Sequence, residues 1–331
     1  MSLLLTGACG FIGSRAVHAL RQQGKNELIL VDARDYLKTR DCARGLEGLP
    51  FIDRAEFFDK LPGLTGVDVV LHLGACTDTG QTDEAYMEMW NTGYTKKLWR
   101  WCAEKHIPLV YASSAATYGR GEQGYADDHA LIAGLKPLNL YGRSKHDFDL
   151  WALQESRTPP AWHGLKFFNV YGPGENHKDR MASTIYHGFH EIRKTGKMTL
   201  FKSHRDDIPD GQQKRDFVFV DDAVRLCLFC LERKPASGIY NCGTGEARSF
   251  LDLAHALFKA LGLAPRIEWV ATPERFRSGY QYFTQADMSK ARKAGYDAAF
   301  TPLEEGISQY VQWLRENPGA PSPRAFTTPA V

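Results

Sequence analysis

The sequence predicts an α/β fold in which a doubly wound parallel sheet is joined to a smaller second lobe. Short apolar runs of strand length alternate with longer runs of helical spacing along the first half of the chain. After about residue 171 this alternation loosens, and longer polar loops separate shorter strand-like runs. Alternating strands and helices build a parallel sheet with helices on both faces, so these two observations support the predicted fold.

Five apolar runs are predicted as buried strands, because glycine, proline or polar residues bound each of them. They are SLLLTG, ELILVDA, VDVVLHLGA, IPLVYASS and LKFFNVYG. The intervening runs FIGSRAVHALRQQG and EAYMEMWNTGYTKKLWRWCAEKH have helical spacing. Shorter strands are expected later, at MTLF, RDFVFV, GIYNCG and RIEWV. We expect a first domain over 1–170 and about 214–245, a second over about 171–213 and 246–316, and a Pro-rich tail over 317–331.

The composition argues against several classes of protein. The 331 residues are 43% hydrophobic and 24% charged, which is typical of a folded globular chain. With 41 basic and 39 acidic side chains there is little excess positive charge for a polyanion, so we expect no nucleic-acid partner. No apolar run of about 18 residues occurs, and MSLLLTGACG lacks the basic segment of a signal peptide. We therefore expect no membrane partner and a cytoplasmic location.

The seven cysteines are scattered and odd in number, which favours reduced thiols over a disulfide framework. Cys227 and Cys230 form a C-x-x-C pair inside AVRLCLFCLERK, an apolar run with helical spacing and no second ligand pair nearby. We interpret both as packed core residues and expect no metal site.

A glycine-rich turn follows the first predicted strand. In TGACGFIG, Gly7, Gly10 and Gly13 stand between that strand and the first predicted helix. Small residues there let the backbone approach a pyrophosphate at the positive end of the helix. Asp32 ends the second predicted strand about 20 residues later, where a carboxylate hydrogen-bonds an adenosine ribose. The two features together predict a Rossmann domain that binds a dinucleotide.

The choice between NAD and NADP stays open at this point. Asp32 alone favours NAD, because its carboxylate repels a 2′-phosphate. Arg34, Lys38, Arg40 and Arg54 lie in the following segment and could neutralise that phosphate, which favours NADP. Each of these cations could equally belong to a solvated loop surface.

A second polar group centres on LYGRSK. Tyr141 and Lys145 stand four residues apart on a predicted helix and therefore face the same way. A phenol with a pKa of about 10 is a weak base at neutral pH, and a neighbouring ammonium would favour its phenolate. About 25 residues earlier, YASSAATYG ends a strand with Ser113, Ser114 and Thr117, so a hydroxyl could bond the same substrate oxygen.

With the glycine motif, this order of parts resembles the extended short-chain dehydrogenase/reductase family, which includes nucleotide-sugar epimerases and dehydratases. The resemblance covers nearly the whole chain, to about residue 315. It implies that Ser114, Tyr141 and Lys145 form a catalytic triad, in which Lys145 also holds the nicotinamide ribose and Tyr141 exchanges the proton of the alcohol. It also implies a homo-oligomer, and the Trp-rich run MEMWNTGYTKKLWRW could pack in the core or on another subunit.

The same resemblance implies which residues surround an NADP cofactor, with NAD as the alternative. Gly74 and Ala75 follow a strand in HLGACTD, and Asn91 lies in the helix behind the site. The full set of expected cofactor residues is Gly7, Gly10, Phe11, Ile12, Gly13, Asp32, Ala33, Lys38, Arg54, Leu73, Gly74, Ala75, Cys76, Asn91, Tyr141, Lys145, Val170 and Lys178.

Within the family, the residues after the triad serine bear on the reaction. Dehydratases have a motif resembling Thr-Asp-Glu there, whereas this chain has Ala115 and Ala116 at the positions of the acids, so dehydration is not expected. The segments NVYGPGENHKDRMAS, LFKSH and GYQYFTQADMSKARKAGY resemble the epimerases that invert C6 of an ADP-heptose. That resemblance implies an isomerase that oxidises C6 to a ketone and reduces it from the opposite face, for lipopolysaccharide core synthesis.

An epimerase of this kind needs a second acid/base, since the substrate presents its hydroxyl in two opposite orientations. Lys178 follows a Gly-Pro-Gly turn and is the candidate to face Tyr141 across the substrate, with a solvated surface lysine as the alternative. Asp179 stands where the family often has glycine, and we expect its carboxylate to point outward. The residues expected to bind substrate are Ser114, Asn169, Arg180, His187, Phe201, Lys202, Ser203, His204, Arg215 and Tyr280.

Two other functions stay open on the sequence. A nucleotide-sugar 4-epimerase or reductase on the same scaffold would need Tyr141 alone, so it would tolerate the loss of Lys178. A non-catalytic protein that senses NADP would be expected to lack the pair Tyr141 and Lys145, and this chain has both.

Overall fold

The structure, a computed structural model, describes residues 1–277 and 279–318. From residue 319 onward, the predicted Pro-rich tail lies outside the described residues. The β-strands, in chain order, are β1 Leu3–Thr6, β2 Leu28–Asp32, β3 Phe51–Asp53, β4 Val69–His72, β5 Leu109–Ser114, β6 Trp162–Phe167, β7 Asn169–Tyr171, β8 Met198–Phe201, β9 Lys214–Phe219, β10 Gly238–Cys242, β11 Ala247–Ser249 and β12 Ile267–Val270.

The helices connect these strands and cover the sheet. In chain order the α-helices are α1 Phe11–Gln22, α2 Tyr36–Thr39, α3 Phe57–Lys60, α4 Glu84–Met87, α5 Gly93–Lys105, α6 His129–Ile132, α7 Leu140–Gln154, α8 Thr184–Thr195, α9 Val220–Arg233, α10 Phe250–Leu261, α11 Glu274–Arg277, α12 Ser289–Lys293 and α13 Leu303–Glu316. A π-helix, Glu88–Thr92, joins α4 to α5. In the part of the chain described, no helix has both the length and the apolar character needed to cross a bilayer.

The central sheet is parallel and has the strand order β10-β6-β5-β4-β1-β2-β3. Strand β1, inside the sheet, pairs with β2 on one side and β4 on the other, so that Leu5 lies opposite Leu30 and Leu71. All three leucines are fully buried, as expected for a parallel sheet with helices on both faces. The predicted doubly wound α/β fold is confirmed.

A second cluster of buried apolar side chains lies around α8, α10 and α13, and it includes Tyr186, Leu257 and Tyr310. Beside it, β7, β9 and β11 form one small sheet, and β8 and β12 form another. We keep the two-domain division as a proposal, supported by the separation of this cluster from the cluster around the central sheet.

Two features of the central sheet go beyond the sequence pattern. β3 was not predicted, because it has three residues, all of them half-buried at the sheet edge, and is too short to show a period.

The Trp-rich run divides between two environments. Trp99 and Trp101 are buried in the core, whereas Trp90 in the π-helix packs against it from a partly exposed position.

Candidate functional site

The carboxyl ends of β1 and β4 form a crevice, because the chain winds in opposite directions from these neighbouring strands. The turns after the two strands touch at this point. A Cβ atom on Gly7 would lie 2.6 Å from the Gly74 nitrogen, and one on Gly13 would lie 2.0 Å from the Gly7 carbonyl oxygen. Gly7 also has a φ of 72°, in the left-handed region that favours glycine. The absence of side chains at these positions lets the two turns and the start of α1 pack backbone against backbone.

The first turn of α1 opens on this crevice. Its N-cap is Gly10, which offers no side-chain hydrogen bond, and the turn contains no acidic residue. The backbone N–H groups of Phe11, Ile12 and Gly13 therefore have no partner within the helix. A pyrophosphate fits such a helix end, because unpaired N–H groups and the helix dipole both favour negative charge. These residues thus fit the predicted dinucleotide cofactor.

Asp32 lies at the end of β2, next to the glycine turn. Its carboxylate accepts hydrogen bonds from the backbone N–H groups of Cys9 and Ala33, each 2.9 Å long. Burial raises the pKa of Asp32, while these hydrogen bonds and the Arg40 charge oppose the rise. The side chain therefore fixes the turn against β2 and keeps lone pairs that a ribose hydroxyl could use.

Cations and aromatic rings gather beyond Asp32. The Arg40 guanidinium lies 3.4 Å from the centroid of the Tyr36 ring. The Arg54 guanidinium lies 5.5 Å from the same ring and 4.6 Å from the Trp90 ring. Lys38 is exposed on α2. Stacking holds the two guanidinium planes in place while leaving their edges available for hydrogen bonds.

The loop after β4 is held by Asn91 of the π-helix. The Asn91 amide oxygen accepts from the Cys76 N–H at 2.8 Å, and its nitrogen donates to the Cys76 carbonyl at 3.0 Å and to the Ser144 hydroxyl at 2.9 Å. Asn91 thus ties the loop to α7 with its own amide, which the sequence did not indicate. Four residues at the start of this loop are half-buried: Leu73, Gly74, Ala75 and Cys76.

The predicted triad comes together from β5 and α7. Tyr141 and Lys145 lie one turn apart on α7, the first half-buried and the second buried. The Ser114 side chain, at the end of β5, lies beside the Tyr141 hydroxyl and favours a lower pKa for it. The Lys145 ammonium donates to the Ala112 carbonyl of the same strand at 2.8 Å. A substrate oxygen bound to Ser114 would therefore also lie beside the Tyr141 phenol.

The protonation states differ from the sequence expectation in one respect. Burial raises the pKa of Tyr141, and the Ser114 hydrogen bond opposes this rise. The lowering expected from Lys145 is not met here, because the largest influence on the Tyr141 pKa is burial, which raises it. Burial also lowers the pKa of Lys145 to about 8. Tyr141 is thus a neutral phenol near neutral pH, able to donate a proton to an alkoxide or a hydrogen bond to a ketone.

Lys178 lies in a short helical segment, Asn176–Met181, that follows the Gly-Pro-Gly turn. Its ammonium stands 5.2 Å from the centroid of the ring of Phe11, the first residue of α1. Burial lowers the pKa of Lys178, whereas the Glu175 charge raises it. The ammonium therefore lies beside the helix end that borders the crevice, in an environment that eases release of its proton.

Glu175 anchors the segment that carries Lys178, and the sequence did not single it out. Its fully buried carboxylate accepts from the Ser183 hydroxyl at 2.7 Å, the Ser183 N–H at 2.6 Å and the Gly172 N–H at 3.3 Å. These bonds join both ends of the loop. A glutamate inside GENHK looks like a solvated loop residue, so no local signal marks its burial.

Asp179 is exposed, in agreement with the outward orientation expected for it. Its backbone has φ 48° and ψ −124°, a conformation that glycine adopts readily and other residues adopt under strain. We predict that Asp179→Gly raises the free energy of unfolding by about 1 kcal/mol, because the relieved strain outweighs the added freedom of the unfolded chain. Urea denaturation measures this change. Asp179→Ala keeps the Cβ atom and should give no such gain; equal gains would assign the effect to charge.

Two neighbours of Lys178 have partners elsewhere. The Arg180 guanidinium donates to both carboxylate oxygens of Asp78, at 2.6 and 2.7 Å, on the exposed surface. Nδ1 of His177 lies 3.4 Å from the Cys42 sulfur, and burial lowers the pKa of His177 to about 3. Arg180 thus bridges the Lys178 segment to the loop after β4.

A second group of predicted substrate residues surrounds Arg215 on β9. Its buried guanidinium lies 5.6 Å from the Tyr280 ring and 5.7 Å from the Phe250 ring, and it donates to the Lys214 carbonyl at 2.9 Å. Within residues 1–277 and 279–318 it forms no salt bridge. A buried cation without a carboxylate partner fits an anionic ligand.

The segment after β8 lies beside the same group. The His204 ring packs edge-on against Tyr280 at 5.6 Å and Tyr282 at 5.0 Å between centroids. The Ser203 hydroxyl lies 3.3 Å from the Tyr282 hydroxyl. Tyr282 was not predicted, although it lies two residues from Tyr280 and so falls on the same side of an extended segment. Phe201 is buried at the end of β8, and Lys202 after it is exposed.

The remaining predicted residues lie on β7 and α8. Asn169 is exposed and Val170 is half-buried on β7. His187 is buried on α8, where the backbone of Ala182 and of Arg180 lies near its ring. Burial, with a smaller contribution from His190, lowers the pKa of His187 to about 4. His187 therefore supports the Lys178 segment from beneath as a neutral ring.

Comparison with known proteins gives a consistent result. The model of the NAD dependent epimerase/dehydratase family matches residues 3–243. The chain is similar to the ADP-L-glycero-D-manno-heptose-6-epimerase of Fusobacterium nucleatum, with 43% identity over 324 residues, which are 94% of this chain and 97% of that protein. An enzyme of the same name from Alkalilimnicola ehrlichii is 40% identical over 96% of this chain and 98% of its own length.

Solved structures share the fold. MoeE5 in complex with UDP-glucuronic acid and NAD has a TM-score of 0.78 at 28% identity, covering 96% of this chain and all of its own. The Helicobacter pylori ADP-L-glycero-D-manno-heptose-6-epimerase has a TM-score of 0.78 at 24% identity, covering 95% of this chain and 96% of its own. With the family match over more than two hundred residues and relatives at 40% and 43% identity, the chain belongs to the NAD dependent epimerase/dehydratase family.

Proposed function

We propose that the protein is an isomerase that inverts C6 of ADP-D-glycero-D-manno-heptose to give ADP-L-glycero-D-manno-heptose, for lipopolysaccharide core synthesis. The observation that carries this proposal is the Lys178 ammonium beside Phe11, at the crevice to which α7 contributes Tyr141. Two proton carriers on different elements then serve one reaction centre. Relatives named for this reaction, at 40% and 43% identity, support the choice of ADP-heptose and of C6.

In the proposed reaction, one of the two residues takes the proton of the C6 hydroxyl and the other returns a proton after the ketone has turned over. A bound nicotinamide cofactor would supply the hydride chemistry, as acceptor from C6 and donor to the opposite face of the ketone. Ser114 and Tyr141 hold the oxygen in one orientation, and Lys178 meets it in the other. Lys145 holds the nicotinamide ribose and, while protonated, favours loss of the Tyr141 proton.

The substrate diphosphate is proposed to bind Arg215. A planar guanidinium makes paired, charge-assisted hydrogen bonds to phosphate oxygens, and this one is buried without a carboxylate partner within the described range. Tyr280 and the 201–204 segment would enclose the nucleotide beside it, and Asn169 would contact the sugar. Arg180 and His187 act on the Lys178 segment through the contacts given above.

We propose NADP as the preferred cofactor, because Arg54 and Arg40 stack on aromatic rings beyond Asp32. Replacing Arg54 with methionine keeps an apolar stem against Trp90 and removes the charge. We expect about a 10–100-fold loss of NADP affinity, the value of a charge-assisted phosphate contact, with little change for NAD. Fluorescence titration with each cofactor measures this, with Arg44→Met, at an exposed arginine, as the control. Equal losses for both cofactors would contradict the proposed 2′-phosphate contact.

The reaction itself is tested by incubating the protein and NADP with ADP-D-glycero-D-manno-heptose and following C6 by NMR. The expected result is an equilibrium mixture of the two C6 epimers with no net change in the cofactor. UDP-glucose and UDP-glucuronic acid serve as parallel substrates. Conversion of a UDP-sugar, with none of the heptose, would replace the proposed substrate with a hexose and the proposed position with C4.

Assembly into a homo-oligomer is also part of the proposal. Tyr86 and Met89 stand exposed, three residues apart, on α4 and the π-helix. Such neighbouring apolar side chains fit a contact with a second copy of the chain. Sedimentation velocity gives the subunit number. The cytoplasmic location remains a prediction.

A further inference from the structure

Beneath the predicted triad lies a fully buried ion pair that the reaction described above does not use. The Lys166 ammonium donates to the Asp149 carboxylate at 2.7 Å, and neither side chain has any solvent exposure. Taking two charges out of water costs several kcal/mol for each ion, and the attraction between them offsets this only with good geometry and further hydrogen bonds. Stability by itself therefore does not explain a buried ion pair. Its position in the fold indicates what else it contributes.

Asp149 accepts hydrogen bonds from three directions. Besides Lys166 on β6, it accepts from the Ser113 hydroxyl at 2.7 Å and from the Tyr111 hydroxyl at 3.1 Å, both on β5. Asp149 itself lies on α7, so one carboxylate joins the helix to two adjacent strands. Along α7, positions 141, 145 and 149 follow at four-residue intervals and share one helix face.

The same network holds the residues around Ser114. Lys166 also donates to the Thr117 hydroxyl at 2.6 Å, and that hydroxyl donates to the Ser114 carbonyl at 2.8 Å. On the other side of Ser114, the Lys145 ammonium holds the Ala112 carbonyl and Asp149 holds the Ser113 hydroxyl. Each residue from 112 to 114 is thus bonded directly, or through one side chain, to α7 or to β6.

We propose that Asp149, with Lys166 as its counter-ion, is a positioning residue for the reaction, which holds the Ser114 segment in register with α7 and directs its negative charge at Lys145. This inference rests on the proposed function in one respect, which is that Lys145 takes part in the reaction. It adds a residue pair that lies beneath the substrate and cofactor crevice.

The charge on Asp149 acts on Lys145 against the effect of burial. The groups that face Lys145 are Asp149 on its own helix, the Ala112 carbonyl from β5, and His72 and Cys76 from β4 and its loop. His72 is neutral, because burial lowers its pKa to about 3. Of these groups Asp149 supplies the negative charge. It raises the pKa of Lys145, which burial lowers to about 8.

The charge state of Lys145 sets the direction of the expected pH effect. Lys145 acts as an ammonium, so its contribution is complete at low pH and is lost as the pH rises through its pKa. Removing the Asp149 charge lowers that pKa further, and the alkaline limb of the kcat profile moves toward acid. We expect a shift on the order of one pH unit, a tenfold change in the protonation constant, for Asp149→Asn.

The experiment compares Asp149→Asn with Lys166→Met. Both variants break the ion pair and both should lower the unfolding temperature, so a merely structural role predicts the same behaviour from both. The positioning role predicts that Asp149→Asn moves the alkaline limb toward acid and that Lys166→Met, which keeps the carboxylate, does not. NMR titration of lysine labelled with ¹³C at Cε, assigned with Lys145→Arg, follows the ammonium in the free protein. Because it needs no substrate, it separates failure of this inference from failure of the proposed function.

A double variant covers the case in which Asp149→Asn does not fold. Asp149→Asn with Lys166→Met removes both charges and leaves neither one buried and unpaired, which proteins tolerate better than half a pair. The pKa of Lys145 should still be lowered in the double variant, because the Asp149 carboxylate, which raises that pKa in the parent protein, is absent. The inference would be overturned by an unchanged Lys145 titration in Asp149→Asn or, where that variant does not fold, in the double variant.

Discussion

Replacing Lys178 with methionine is expected to lower the kcat of epimerisation by about 10²–10⁴-fold, the usual contribution of a general acid or base. Methionine keeps an apolar chain beside the Phe11 ring and loses the ammonium. The loop should keep its shape, because Glu175 retains its hydrogen bonds from Gly172 and Ser183. The affinity for NADP should change little.

A single-turnover measurement tests the assignment more sharply than the steady state. Each C6 epimer is mixed in turn with enzyme that holds oxidised cofactor, and the absorbance of reduced nicotinamide is followed. With one carrier left, one epimer should still be oxidised quickly and the other should not. Lys194→Met, at an exposed lysine on α8, is the matched control and should behave as the parent. Normal epimerisation by the Lys178 variant would contradict the assignment, because the reaction would then need only one base.

The fold could be predicted from the sequence to the extent that it rests on local patterns. The alternation of strands and helices and the glycine turn before α1 predicted the central sheet and its crevice. β3 was missed because three half-buried residues at an edge carry no period. The π-helix at Glu88–Thr92 was not predicted either, because it differs from an α-helix by one residue in hydrogen-bond spacing, and the sequence pattern does not resolve this.

The residues of the candidate site likewise divide into those that a local pattern predicts and those that depend on tertiary packing. Tyr141 and Lys145 could be predicted together, because four residues on a helix bring two side chains to one face. Asp149 continues that face, but its partner Lys166 is distant in sequence and their contact depends on the packing of α7 against β5 and β6. One signal was present: Lys166 is a lone charge inside the strand run LKFF, and a charge in a strand covered on both faces needs a counter-ion.

The predicted direction of the Tyr141 pKa shift was wrong, for a related physical reason. Sequence spacing gives the distance to a neighbouring charge, whereas burial depends on every element packed around the side chain. Here burial is the largest influence on the Tyr141 pKa and raises it, so the phenol is neutral. In a covered site the desolvation of each group therefore has to be known before the sign of its pKa shift can be assigned.

Replacing Tyr141 with phenylalanine is expected to give the second large loss, again about 10²–10⁴-fold in the kcat of epimerisation. The ring is kept and the hydroxyl is removed, and the Ser114 hydroxyl still accepts from the Ala116 N–H at 3.1 Å, so the variant should fold with little change in stability. Tyr296→Phe is the matched control. It removes a buried hydroxyl that has no hydrogen-bond partner in the part of the chain described, and it should leave kcat unchanged.

The two variants decide the mechanism when their single-turnover results are compared. If Tyr141 and Lys178 serve opposite orientations of one alcohol, each variant should lose the oxidation of a different C6 epimer and retain that of the other. A structural role for Lys178 predicts instead a uniform loss with both epimers, because a displaced loop would disturb binding in either orientation. Loss of the same epimer in both variants would place the two residues in a single proton relay on one side of the sugar, and inversion would then need a proton carrier from elsewhere in the crevice.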